Sequence, residues 1–126
     1  IDFNGNKCWF ENGKRHRIDG PAFETIYGYK EWYQNDQLHR VDGPAAEHVN
    51  GDKKWYKNGK VHRVDGPAIE CTDGHKEWYE NGKCHRLNGP AVEYANGDKT
   101  WHLNGKHIKC SSQEEFEKLI KLRSFW

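Results

Sequence analysis

His39-Arg40-Val41-Asp42-Gly43-Pro44-Ala45 recurs unchanged as His62-Arg63-Val64-Asp65-Gly66-Pro67-Ala68. The same stretch returns with one substitution at residues 16–22 and with two at residues 85–91, each copy 23 residues from the next. No insertion or deletion disturbs the offset, so the chain is a tandem array. Trp9, Trp32, Trp55, Trp78 and Trp101 keep the same register, as do Gly5, Gly28, Gly51, Gly74 and Gly97. A fixed period of this length belongs to stacked supersecondary units, none of which buries its own apolar surface alone.

Working outward from each copy, short alternating runs are punctuated by two turn signals. The first comprises Asn4-Gly5, Asn50-Gly51, Asp73-Gly74 and Asn96-Gly97, with Tyr27-Gly28 as a weak copy because Tyr tolerates positive φ poorly. Read as two-residue type I′ turns, these place Phe23 opposite Trp32, Ala46 opposite Trp55, Ile69 opposite Trp78 and Val92 opposite Trp101. The next pairs are then Ala22 with Tyr33, Ala45 with Tyr56, Ala68 with Tyr79 and Ala91 with His102. One face becomes a Trp row, the other a crowded Tyr and Ala row. In that register Glu24, Glu47, Glu70 and Glu93 oppose Glu31, Lys54, Glu77 and Thr100. The second signal is Asn12-Gly13, Asn58-Gly59, Asn81-Gly82 and Asn104-Gly105, with Asn35-Asp36 as the variant. A longer connection then leads to Pro, which opens the next strand without losing a ladder bond. Two strands per unit, with Ile1–Phe3 ending a first incomplete one, predict about ten strands in all.

After Gly105 the pattern fails at Lys106, His107 and Ile108. Ser112 with Glu115 is a capping box, and Phe116, Leu119 and Ile120 form an apolar stripe at helical spacing. The expected architecture is therefore an all-β repeat: an elongated, twisted antiparallel sheet of about five hairpin units over residues 1–110, closed by a helical cap over 111–126. The cap helix is expected near 113–123, with Phe125 and Trp126 beside it.

Composition narrows the function classes. Hydrophobic residues are 34% of the 126 and aromatics 13%, so the apolar surface must come mainly from Trp, Tyr and Phe. Charged residues are 31% yet nearly cancel to +1, so extended nucleic acid is not an expected partner and anion binding would need local patterning. Cys8, Cys71, Cys84 and Cys110 occupy four different repeat positions, which reads as free thiols in a reducing, cytoplasmic compartment. No apolar run approaches the roughly 18 residues of a membrane span, and membrane contact is not expected.

The motif WYxNGxxHRxDGPA, complete or nearly so at 9–22, 32–45, 55–68 and 78–91, resembles MORN repeats. The nearer likeness is to a MORN-related group found in bacteriophages and large DNA viruses. The chain departs from ordinary MORN units in carrying His-Arg where they have His-Gly and one more residue between Trp and the turn Gly. The resemblance implies an extended sheet of hairpins that acts as a protein-interaction scaffold. In a phage it implies an inhibitor of host factors, including immune systems, working in the host cytoplasm.

The candidate binding residues are the His and Arg of the repeated loop with the Trp row: Arg17, Arg40, Arg63, Arg86, His39, His62, His85, Trp32, Trp55 and Trp78, with His16 as the first rung. Guanidinium forks beside aromatic rings suit phosphate and base recognition. The structural alternative pairs each Arg with the Asp two residues on (Asp19, Asp42, Asp65) and packs each His on its Trp. Asn88 breaks that pairing, which makes Arg86 the guanidinium expected to be open to a ligand. Successive rungs lie about 9–10 Å apart across two strands, too far to share a metal ion, and neither a metal nor a cofactor is expected. The lysines at 7, 30, 53, 76 and 99 are expected to be solvated along the Trp face. No singular catalytic cluster breaks the repeat. The leading expectation is a non-enzymatic scaffold binding a protein, with specificity at positions that vary between units, such as Tyr29, Gln34, Gln37, His48, Lys57, His75 and Tyr94. The alternative is a binder of nucleotides or other phosphate compounds. Self-association through an edge strand or the C-terminal helix is a further possibility.

Overall fold

The computed structural model describes residues 5–123; the expected strand at Ile1–Phe3 and the aromatics Phe125 and Trp126 lie outside them. Ten antiparallel strands form one sheet in chain order: Lys7–Cys8, Phe23–Glu24, Lys30–Glu31, Ala46–Glu47, Lys53–Lys54, Ile69–Glu70, Lys76–Glu77, Val92–Glu93, Lys99–Leu103 and Lys106–Ile108. Four two-stranded ribbons stand off it, Phe10–Glu11 with Lys14–Arg15, Tyr33–Gln34 with Gln37–Leu38, Tyr56–Lys57 with Lys60–Val61, and Tyr79–Glu80 with Lys83–Cys84. The connection after each second turn thus contains a return strand, and the described residues hold 18 strands rather than ten.

The ribbons form where the Asn-Gly signals predict. Asn12, Asn58, Asn81 and Asn104 have φ of 53°, 52°, 50° and 50°, and the Gly that follows each is also positive. Asn35 and Asp36 adopt the same turn at 51° and 66°, though Asp replaces Gly. Asp36 is held there because its Oδ1 accepts the Arg15 backbone N–H at 2.8 Å and Nε at 3.2 Å.

The main-sheet turns differ from expectation. Gly28, Gly51, Gly74 and Gly97 have positive φ, but Tyr27, Asn50, Asp73 and Asn96 do not. Gly51 N–H donates to the His48 carbonyl while His48 N–H donates to that of Asp52, and the same pair of bonds recurs around Gly28, Gly74 and Gly97. These are three-residue loops, a type I turn followed by a left-handed Gly. Asn50, Asp73 and Asn96 use their side-chain oxygens to accept the N–H two residues on, an Asx closure that competes with the type I′ alternative. Tyr27 sits in this turn at no φ penalty. Stacking between units adds a constraint: a Cβ on Gly51 would lie 2.8 Å from the Thr72 methyl, and one on Gly5 2.6 Å from that of Ile26.

One extra loop residue moves the register by one, which exchanges faces along the strand. Phe23 pairs with Glu31, Ala46 with Lys54, Ile69 with Glu77 and Val92 with Thr100, not with the tryptophans. The repeated glutamates therefore meet lysines on both sides, in a continuous row Lys7-Glu24-Lys30-Glu47-Lys53-Glu70-Lys76-Glu93-Lys99. Opposite-charge cross-strand pairs contribute roughly 0.2–1 kcal/mol each.

Two positions along each strand, on the same face, the row alternates Trp and Ala. Trp9, Trp32, Trp55 and Trp78 donate their backbone N–H to Ala22, Ala45, Ala68 and Ala91 at 2.7–2.8 Å. Each Ala lies between two Trp and is completely buried. The Ala that follows Pro in every copy of the repeat thus occupies a fully enclosed position. Tyr33, Tyr56 and Tyr79 lie on the opposite face, where Tyr33 and Tyr79 donate their hydroxyls to Glu31 and Glu77 at 3.0 and 2.7 Å.

The cap is the helix Gln113–Arg123, as expected. Ser112 Oγ accepts the Glu115 N–H at 3.2 Å, while the Glu115 carboxylate reaches Ser111 rather than Ser112. Phe116 packs on Trp101 and Ile108, with Leu119 and Ile120 against the same cluster. Counting 23 residues on, Ile108 stands at the His position and Lys109 at the Arg position. The helix thus covers Trp101, whose indole N–H donates to Gln113 Oε1 at 2.8 Å.

Candidate interaction surface

The repeated loop folds around its own guanidinium. Arg40 N–H donates to the Tyr56 carbonyl of the next unit at 3.3 Å, which anchors the start of the loop. Its Nε donates to Asp42 at 3.3 Å and Nη1 to the Pro44 carbonyl at 3.1 Å, with Glu47 3.5 Å from Nη1. The guanidinium carbon lies 3.9 Å from the Trp32 ring centroid. Arg17 and Arg63 repeat the ring stacking and the Asp and Pro bonds. On the far side, a Cβ at Gly43 would meet Arg40 Cζ at 2.9 Å. Gly in this motif supplies space for the cation, which is sandwiched between ring and backbone.

Arg86 is not the open guanidinium that Asn88 led us to expect. Asn88 Oδ1 accepts its Nε at 3.3 Å, Pro90 and Glu93 accept Nη1 at 3.1 and 3.2 Å, and Trp78 lies 3.8 Å below. An amide oxygen fills the acceptor position as a carboxylate does. The Arg–Asp pairs of the structural alternative are present in the other three loops.

The histidines reach into the next unit. Nδ1 of His16, His39, His62 and His85 accepts the backbone N–H of Asn35, Asn58, Asn81 and Asn104 at 2.9–3.1 Å. Each His thereby holds the left-handed Asn of the following unit's ribbon. Nε2 of His16 and His85 faces Glu11 and Glu80 at 3.2 Å. Among the described residues no group of His, Cys, Asp and Glu is arranged to hold a metal ion.

With the Arg turned inward, the aliphatic residue beside it turns outward. Ile18, Val41, Val64 and Leu87 are 82%, 88%, 85% and 54% exposed. The Asp side chains next to the first three are 88%, 87% and 85% exposed, against 23–28% for the arginines. The result is a comb of four aliphatic teeth, the first three beside a carboxylate and Leu87 beside Asn88. Three clefts of about 600, 410 and 550 Å³ separate the successive teeth and are lined by Trp32, Trp55 and Trp78 with His39, His62 and His85. Gln34 and Lys57 also line them. The sequence-derived candidates thus converge on these clefts, with Nε and Nη1 of the arginines and Nδ1 of the histidines already engaged within the protein.

The aliphatic tips escaped the sequence reading. Their signal was there: an apolar residue retained in every copy of an otherwise polar loop. On the opposite face, Tyr29 contacts His48 and His75 contacts Tyr94, with ring centroids 4.8 and 5.3 Å apart. Burial, then the bond to Glu31, pushes the Tyr33 phenol up to about 12. Burial alone would raise the Glu77 carboxyl, but hydrogen bonds from His75 and Tyr79 hold it below its ordinary range. On that face the Glu31 and Glu77 carboxylates are thus held by their neighbours' hydroxyl and ring groups.

All four cysteines are free thiols. Burial pushes Cys84 up to about 11 and raises Cys71 and Cys110, which disfavours the reactive thiolate in these three. Among the described residues no helix is long and apolar enough to cross a membrane. No family model and no curated protein matches the chain.

Proposed function

We propose that the protein is a non-enzymatic interaction module whose comb of Ile18, Val41, Val64 and Leu87 docks on a protein partner and blocks it. The observation that carries this reading is the exposure of the tips in every unit. The other strongly repeated side chains have structural work: Trp, Arg and Ala in the spine, His at the neighbouring turn, Asp on the guanidinium. An aliphatic side chain held in water four times over has no such role, and spaced apolar surface rimmed by polar groups marks interaction sites. The resemblance to phage and viral repeat proteins extends the proposal to an inhibitor of a host factor in the host cytoplasm.

Phosphate binding through the Arg row is the weaker reading. Nε and Nη1 of Arg17, Arg40, Arg63 and Arg86 are engaged, and one face of Trp9, Trp32, Trp55 and Trp78 is covered by its unit's guanidinium. The two readings separate experimentally. Tagged wild type and Val41→Ser/Val64→Ser, matched for folding by circular dichroism, are used to capture host proteins for quantitative mass spectrometry. The proposal requires specific partners to be lost from the variant; undiminished capture would place the contact elsewhere. Calorimetry against a nucleotide panel gives no heat on this reading, whereas saturable binding would favour phosphate.

A further inference from the structure

We propose that the comb recognises a basic, proline-containing segment of its partner in the polyproline II conformation, one turn of the segment per repeat. This rests on the reading of the comb as the interaction surface and names the kind of segment that fits it. Successive teeth belong to units two strands apart in one continuous sheet, so the unit repeat measured between strands is about 9.6 Å. A ligand that reads several teeth at once must present equivalent side chains at that interval.

Three regular peptide conformations can be compared. Polyproline II repeats every three residues at about 9.3 Å and accumulates an error of only about 1 Å over three intervals. An α-helix offers its nearest same-face repeat at seven residues, about 10.5 Å, and drifts by nearly 3 Å over the same length. A β-strand places same-face side chains at about 6.7 or 13 Å and misses the teeth altogether. Polyproline II also has no internal hydrogen bonds to break and little conformational entropy to lose, and it docks on aromatic-lined grooves elsewhere.

The clefts suit such a ligand chemically. The cleft between Val41 and Val64 is lined by Trp55, and its neighbours by Trp32 and Trp78, so each has an indole among its walls for a pyrrolidine to meet. Beside the first three tips, what an approaching chain meets is carboxylate, with exposed Lys57 also lining the middle cleft. Asp19, Asp42 and Asp65 are mostly exposed, while the arginines they pair with lie against the rings. Complementarity therefore calls for a cation at every third residue. The comb ends at Leu87, where Asn88 replaces the Asp and Gln113 of the cap donates to the Leu87 carbonyl at 2.9 Å.

The test uses two labelled peptides of equal composition and charge, titrated against the full chain by fluorescence anisotropy. One is periodic, a Pro-Pro-Arg triplet repeated four times; the other is a block peptide in which all the prolines precede all the arginines. The periodic peptide is expected to bind about tenfold more tightly. Val41→Ser/Val64→Ser should abolish that preference. Asp42→Asn/Asp65→Asn should weaken the periodic peptide severalfold without unfolding the loops, since Asn88 already fills the same acceptor role in the fourth unit. Equal affinity for both peptides, or none for either, overturns the proposal. So does tighter binding of a helical peptide with apolar residues every seven positions, or a dimer by sedimentation that the valine variant dissolves, which would assign the comb to a second copy. If the peptides fail while the valine variant still loses its captured partners, only the polyproline assignment falls; if capture is also unchanged, both fall.

Discussion

The Arg63 guanidinium carbon lies 3.9 Å from the centre of the Trp55 ring, and Arg86 lies 3.8 Å from that of Trp78 although its loop has Asn88 instead of an aspartate. The cation is thus positioned by ring, Pro carbonyl and Gly backbone, with the acidic neighbour as one contributor among several. Each unit's loop is folded on a charge that its own strand has half-buried.

Arg86→Ala should accordingly destabilise the protein about as much as Arg63→Ala, by about 2 kcal/mol each. That figure combines stacking with charged hydrogen bonds and is discounted for partial exposure. Lys at either position keeps the charge and loses the fork, so it should recover only part of the loss. Urea unfolding measures all of these; a neutral Arg86→Ala would show that the aspartate, and not the stack, holds the loop.

Ala68 is fully buried in the row between Trp55 and Trp78. Ala68→Leu should cost about 1–3 kcal/mol or more through overpacking. Ala68→Gly, which only loosens the strand, should cost about 0.5–1 kcal/mol. Thermal melts followed by tryptophan fluorescence would give that ordering, and the reverse order would mean the row has slack.

Phe116 is fully buried in the cluster that covers Trp101. Phe116→Ala should cost about 3–5 kcal/mol at the capped end. It should also shift tryptophan emission to the red as Trp101 meets water, and expose the last strand to pairing with another chain. Light scattering that stayed monomeric after cap loss would argue against the helix as an edge guard.

Acidification should lower stability in two windows. Burial and the neighbouring His107 depress the His102 pKa below 6.5, so the unfolded chain takes up that proton first and stability falls as pH drops from about 6.5 through the lower folded value. Asp36 and Asp52, held down by the backbone N–H groups of Arg15 and Thr72, and Glu77, held down against burial by His75 and Tyr79, act alike below about pH 4. His102→Gln should flatten the upper window alone in melts recorded across pH.

Much of the architecture follows from the chain read as text. The 23-residue period sets the stacking, the Asn-Gly pairs set the ribbons with both residues at positive φ, and Ser112 with the Phe116 stripe sets the cap. These are local signals, complete within a few residues. The Arg–Asp pairs were legible for the same reason, since the two residues stand two apart in one short loop.

The register and the faces were decided only in three dimensions. Whether Asn50-Gly51 forms a two- or a three-residue loop depends on Asn50 closing onto Asp52 and on Thr72 of the next unit filling the space above Gly51. Because side chains alternate with a period of two, that single residue moved Ala22, Ala45, Ala68 and Ala91 from beside the tyrosines to between the tryptophans. The same limit hid the comb. A heptapeptide does not say which of its side chains the fold will take inside; Trp32 and Gly43 took Arg40, and Val41 was left in water.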